Sequence, residues 1–147
     1  MLSSSLESYL EMIYRIENQD KEIKPLEIAQ ELNVPLSRVV QAVQRLHYQK
    51  YLTYSPYKPV ELTEKGIETA TYLVARNKLI QEFLEILKIE ENLETELEAM
   101  QQYLSIESLK TIEKFVLFIR QYPEVSQRYK QFSRKVMKEV LLPELPD

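Results

Sequence analysis

Apolar residues recur three and four positions apart from the first turn of the chain onward. In SLESYLEMIYRIEN, Leu6, Leu10, Ile13 and Ile16 fall on one side of a helix, Ser4 or Ser5 stands where a cap belongs, and Glu7 lies in the first turn. The polar run NQDKEIK interrupts that pattern. Pro25 then opens a short helix, PLEIAQEL, at a position where the missing N–H has no intrahelical partner to lose. After Asn33-Val34-Pro35, the stripe Val39, Val43 and Leu46 predicts a third helix through SRVVQAVQRLHYQ, with Val40 beside it. Two helices separated by about four residues make a helix-turn-helix candidate.

Two short β-prone runs, KYLTY and PVELT, are joined by the Pro-containing turn SPYK and predict a small hairpin. Residues 63 to 88 then carry Ile67, Ala70, Val74, Ile80, Phe83, Leu84 and Leu87 in helical register, enough for one helix of about 25 residues and roughly 37 Å. Such a length serves to link two modules. Three further helical segments follow, EENLETELEAMQQYL, SIESLKTIEKFVLFIRQY and PEVSQRYKQFSRKVMKEV, divided at Ser105 and Pro123; LLPELPD reads as a frayed tail. The predicted fold is mainly α. An N-terminal winged helix-turn-helix over residues 1–72 is joined by a linker helix at about 63–88 to a second helical module within 73–147.

Composition supports helix and narrows the chemistry. The 147 residues include one Gly and are 44% apolar, long enough to bury a core without staples. With no Cys there are no disulfides, thiolate metal sites or Cys nucleophiles. The sole His lies in a basic helix and the sole Gly rules out a Gly-rich phosphate loop, so an enzyme is not expected. No apolar run approaches the roughly 18–20 residues that span a bilayer, and the N-terminus has neither a basic start nor an apolar signal core. A cytoplasmic protein with no membrane partner is the expectation.

Charge changes the picture most. The net charge is −4, yet residues 35 to 60 contain two Arg, two Lys, the His and four Tyr without one Asp or Glu. Opposite Val39, Val43 and Leu46, the third helix presents Ser37, Arg38, Gln41, Gln44 and Arg45. Gln can pair bidentately with adenine, Arg with guanine, and Ser can donate to phosphate. Lys50, Tyr51, Tyr54, Tyr57 and Lys58 add charge and phenolic hydroxyls beside the hairpin. A carboxylate here would meet a duplex carrying about one negative charge per 1.7 Å. The compensating acid sits elsewhere: residues 89 to 104 hold five Glu and no base. Chance, or a merely solvated helix and loop, would also leave a window free of acid; the helix, helix, helix, hairpin order favours double-stranded DNA as the partner.

The ordered pieces SLESYLEMIYRI, IAQELNVPLSRVVQAVQRL, YLTY with VELTEKG, LVARNKLIQEFL and LEAMQQYLS cover nearly the whole chain. Together they resemble the diphtheria-toxin-repressor family, most closely its short manganese-transport-regulator branch. The resemblance implies a homodimeric transcription factor, a repressor on a palindromic operator, in which residues 73–147 are an α-helical dimerisation domain and the additional C-terminal domain of longer relatives is absent.

It also implies Mn(II) or Fe(II) held by carboxylates and imidazoles, and there the sequence departs from the family. The implied ligand positions are occupied by Ser8, Glu11, Asn77, Glu98, Gln101 and Gln102. Two carboxylates remain of six positions, and hard divalent ions need anionic oxygens in sufficient number. No metal cofactor is therefore expected. Three readings of these positions stay open: ordinary polar residues at a helix junction, amides hydrogen-bonded to Glu11 and Glu98 with Arg76 or Lys78 neutralising a carboxylate nearby, or residual metal binding through Glu11, Glu98 and a neighbour such as Glu94.

In LKTIEKFVLFI, Leu109, Ile112, Phe115, Val116 and Ile119 share one face, which Leu117 and Phe118 broaden until the helix is apolar nearly all round. A dimer interface sharing the core is preferred over core alone, because a helix-turn-helix protein reads paired half-sites about 34 Å apart. The last helix sets Val125, Tyr129, Phe132, Val136 and Val140 against a basic side, predicting that it docks by the apolar face. The competing function is a winged-helix adaptor whose basic surface binds an acidic protein.

Overall fold

The computed structural model describes residues 2–136 and 142–147. Among these there are seven helices and a two-stranded sheet: α1 (Ser4–Glu17), α2 (Pro25–Leu32), α3 (Leu36–Tyr48), β1 (Leu52–Thr53), β2 (Glu61–Leu62), α4 (Glu64–Ile86), α5 (Leu93–Tyr103), α6 (Ile106–Gln121) and α7 (Pro123–Lys135). The chain divides into two compact units, residues 1–77 and 78–147. The predominantly helical class and the helix-turn-helix followed by a small hairpin agree with the reading from sequence.

The first unit closes around one apolar core. Leu10, Ile13, Ile28, Val39, Val43 and Leu46 are fully buried there, and Ala70 and Leu73 of α4 join them. Leu73 replaces two residues of the predicted stripe: Ile67 and Val74 are 40% and 42% exposed, because the inward face of α4 runs through Ala70 and Leu73 at i,i+3 spacing. α1 is capped one residue earlier than expected, Ser3 accepting from the Leu6 N–H at 3.3 Å.

NQDKEIK is more than a polar break. Ile23 is buried and its carbonyl accepts from the Val60 N–H at 3.0 Å, so the segment before α2 pairs with the hairpin. The hairpin itself is short: Leu52 faces Leu62 and Thr53 faces Glu61 in antiparallel register.

The single-glycine composition leaves its mark on the helix ends. Asn33, Lys50 and Lys88 all adopt left-handed φ, at 53°, 68° and 62°, where a glycine is usual. At Lys50 the Tyr51 N–H bonds to the Leu46 carbonyl and the Lys50 N–H to the His47 carbonyl, both at 3.0 Å, the paired closure that ends a helix sharply.

In the second unit Ile80, Leu84 and Leu109 are buried, with Ile89, Leu93, Leu97, Met100 and Leu104 partly covered around them. Phe83 meets Phe115 edge to face at 5.9 Å. α7 does not dock as expected: within one chain Phe132 stays 61% and Tyr129 38% exposed. Val140 lies outside the described residues. Residues 142–147 form neither helix nor strand. Among the described residues no helix is long and apolar enough to cross a membrane.

Candidate nucleic-acid interface and the junction of α1 with α4

α3 buries Val39, Ala42, Val43 and Leu46 and leaves Ser37, Arg38, Gln41, Gln44 and Arg45 exposed. Burial of one stripe fixes the rotation of the helix, so those five polar side chains form one outward face. Lys50, Tyr57 and Lys58 are also exposed, while Tyr54 is half-buried. Tyr57 sits at the hairpin tip, fully exposed with φ 69°, after Pro56 in a turn where the Lys58 N–H reaches the Ser55 carbonyl at 3.3 Å.

Tyr51 does not add a hydroxyl to this surface as the sequence suggested. It is buried in the first core, and Lys65 Nζ lies 4.2 Å from its ring centroid. The acid-free window also ends abruptly in space: Glu61 lines the same cleft of about 400 Å³ as His47, Tyr54 and Lys58.

Several residues that hold this surface together were not singled out from the sequence. His47 Nδ1 accepts the Tyr54 N–H at 3.1 Å, tying the end of α3 to the hairpin. Thr63 Oγ1 donates to the Lys50 carbonyl at 2.6 Å and accepts from the Gly66 N–H at 3.1 Å, while Lys65 Nζ donates to the Gln49 carbonyl at 3.0 Å. A Cβ on Gly66 would stand 1.9 Å from the Tyr51 carbonyl oxygen, so LTEKG is a clamp between the hairpin and α4. Its spacing was visible in the sequence; its contacts, thirteen and sixteen residues away along the chain, were not.

α1 and the middle of α4 meet through a polar chain. Arg76, with its side chain 8% exposed, donates from Nη2 to Glu7 Oε2 at 3.0 Å and from Nε and Nη2 to Asn77 Oδ1 at 3.1 and 3.0 Å. With its carbonyl taken by the guanidinium, the Asn77 amide has its Nδ2 turned to Glu11 Oε1, at 2.8 Å. Burial pushes the Glu11 carboxyl above its ordinary value, opposed by the Asn77 hydrogen bond and the Arg76 charge. Ser8 takes no part: its hydroxyl donates to the Ser4 carbonyl of its own helix at 3.2 Å.

Glu98 and Gln102 are exposed and Gln101 is half-buried on α5, and none of the three makes a side-chain hydrogen bond among the described residues. Of the six family ligand positions, the first unit therefore joins two, Glu11 and Asn77, through an amide. Of the residues chosen as a dimer face, Leu109, Val116 and Ile119 are buried within one chain, Ile112 is half-buried and Phe115 is 38% exposed.

The sequence pattern of the iron dependent repressor N-terminal DNA binding domain matches residues 1–60, and that of the repressor's metal binding and dimerisation domain matches residues 63–130. The HTH-type transcriptional regulator MntR of Bacillus pumilus is 32% identical over 136 residues, covering 92% of this chain and 94% of the relative. This chain belongs to the iron-dependent repressor family. The MntR of Oceanobacillus iheyensis is 34% identical over 140 residues, covering 95% of this chain and 92% of its own. Among solved structures the manganese regulator SloR superposes with a TM-score of 0.67 at 25% identity, over 77% of this chain; the match spans 54%, about half, of the SloR chain. The protein is a transcriptional regulator of this metalloregulator type, and its relatives are named as regulators rather than enzymes.

The six positions at which the resemblance implies ligands carry two carboxylates, three amides and one hydroxyl, a donor set short of the anionic oxygens that a hard divalent ion takes. Within the first unit, Glu11 Oε1 already accepts from the Asn77 amide. Among the described residues no group of three or more His, Cys, Asp or Glu side chains is assembled.

Proposed function

We infer that this protein is a sequence-specific, homodimeric repressor in the cytoplasm that reads a palindromic operator with α3 and adopts its DNA-competent form without a metal ion. The observation that carries the DNA reading is the outward, acid-free face Ser37, Arg38, Gln41, Gln44 and Arg45, fixed in rotation by four buried apolar residues on the same helix. Arg38 and Arg45 reach for guanine edges or phosphate, Gln41 and Gln44 for adenine, and Ser37 for phosphate at the helix start. Lys50, Tyr54, Tyr57 and Lys58 follow the backbone beside the groove.

Metal independence rests on the polar chain from Glu7 through Arg76 and Asn77 to Glu11, which supplies within the protein the link between α1 and α4. The test uses metal-free protein with genomic fragments, with chelator and with Mn(II). Selective, salt-sensitive enrichment of a palindrome in chelator is expected. Enrichment that appears only with Mn(II) overturns metal independence while keeping the regulator, and uniformly weak binding under both conditions supports an adaptor. On the selected operator, Arg45→Ala should weaken binding by about 1–3 kcal/mol and relax one base position, whereas Lys58→Ala should weaken all sequences alike and lower the salt slope by about 1.

A further inference from the structure

The second unit carries two segments of opposite charge that make no ion pair among the described residues. Residues 89–104, containing α5, hold five Glu and no base, and Glu90, Glu91, Glu94, Glu96 and Glu98 are all exposed. α7 carries Arg128, Lys130, Arg134 and Lys135 against one acid, Glu124. Among the described residues there are three ion pairs, and none involves either segment. No residue of α7 or of α5 is fully buried, an unusual state for two amphipathic helices in a folded unit.

Apolar side chains lie open beside α7. Phe118 and Tyr122, 5.2 Å apart near the end of α6, are 46% and 42% exposed, and Phe132 on α7 is 61% exposed. Isolated exposed apolar residues are ordinary, but the paired rings of Phe118 and Tyr122 at the start of a basic helix that itself exposes Phe132 have the composition of an interface centre with a charged rim. A duplex would use the bases and leave the aromatic rings and the acidic segment unexplained. A second copy supplies both an apolar face and the complementary acids.

We propose that α7 of one protomer packs against the acidic segment 89–104 of the other, with the Phe118, Tyr122 and Phe132 surface covered between them. This rests on the homodimer reading above and assigns part of its interface to charge complementarity between a basic and an acidic helix of different copies. Two-fold symmetry makes that contact twice, since each protomer offers both partners.

A charge exchange tests it. In Arg134→Glu/Lys135→Glu the exchanged positions of α7 turn acidic against the acidic segment in both contacts of the homodimer; in Glu94→Lys/Glu96→Lys the exchanged positions of the segment turn basic against α7, and the segment's net charge falls from −5 to −1. Mixed together, the two variants form one wild-type contact and one in which opposite charges meet at the exchanged positions. Sedimentation should show each variant dimerising about tenfold or more weakly than the wild type, the mixture regaining most of the loss as a heterodimer, and wild-type dimerisation weakening as salt rises. A chain carrying all four substitutions should dimerise with itself, which separates lost complementarity from lost folding.

Variants that dimerise as tightly as the wild type overturn the pairing, as does rescue in the four-substitution chain without rescue in the mixture, which would place the contact inside one chain. If the α7 variant keeps its dimer but loses affinity for a DNA fragment, α7 is a phosphate contact and the pairing fails. A monomeric wild type removes the homodimer reading itself, whereas a dimeric wild type with indifferent variants removes only this pairing.

Discussion

Arg76→Met separates the charge of the α1–α4 junction from its packing, because Met keeps an unbranched stem of similar reach and drops the guanidinium. Three hydrogen bonds disappear, and Glu7, its side chain only 19% exposed, is left without its cation. Removing one partner of a fully buried pair costs about 3–5 kcal/mol, and an exposed pair contributes about 0–1 kcal/mol. Glu7 keeps some water and Arg76 almost none, so the expected loss lies between, at about 2–3 kcal/mol. Asn77 is also released to rotate, which frees Glu11 from its amide donor.

The assay is urea unfolding followed by far-UV circular dichroism, with amide hydrogen exchange assigning the loss to α1 in the first unit. Glu7→Gln/Arg76→Met should recover part of the loss, since it no longer strands a charge. A loss below about 0.5 kcal/mol, the range of ordinary surface substitutions, would refute the view that this chain of side chains holds the junction. So would a double variant no more stable than Arg76→Met.

Other consequences are checked by the same unfolding measurements. Gly66→Ala forces a methyl to within 1.9 Å of the Tyr51 carbonyl oxygen, so it should cost at least the upper part of the usual overpacking range of about 1–3 kcal/mol. Lys88→Gly relieves a left-handed residue at the end of α4 and should gain about 0.5–1 kcal/mol after the extra freedom of the unfolded chain is subtracted. Glu82 accepts from Arg120, Nε at 2.7 Å, and that hydrogen bond holds its carboxyl below the ordinary 4.5. Its folded value being depressed, the carboxylate stabilises above 4.5 and loses that effect as pH falls through the folded value. The melting temperature of Glu82→Gln should therefore lie below the wild type at neutral pH and converge with it in acid; a gap that persists in acid would contradict the assignment.

Hydrophobic spacing determined the helices and their order, β-prone runs around a Pro-containing turn gave the hairpin, and in α3 the apolar stripe can be buried in only one rotation. It therefore also determined which way Arg38, Gln41 and Arg45 point: Val39, Val43 and Leu46 turn inward, and the rest follows from 3.6 residues per turn. The absence of acid over residues 35–60 was equally open to inspection. What spacing could not supply was contact between distant segments. That Ile23 pairs with Val60, that Tyr51 goes inside beneath Lys65, that His47 holds the hairpin and that Arg76 orients Asn77 toward Glu11 all depend on approach in space between groups up to 69 positions apart. Tertiary structure likewise decided which apolar residues remain for a partner: α6 reads as apolar nearly all round, and only packing shows Val116 buried with Phe118 left exposed. Periodicity records the direction of a side chain relative to its own helix axis, and what that side chain meets is set by where the other helices lie.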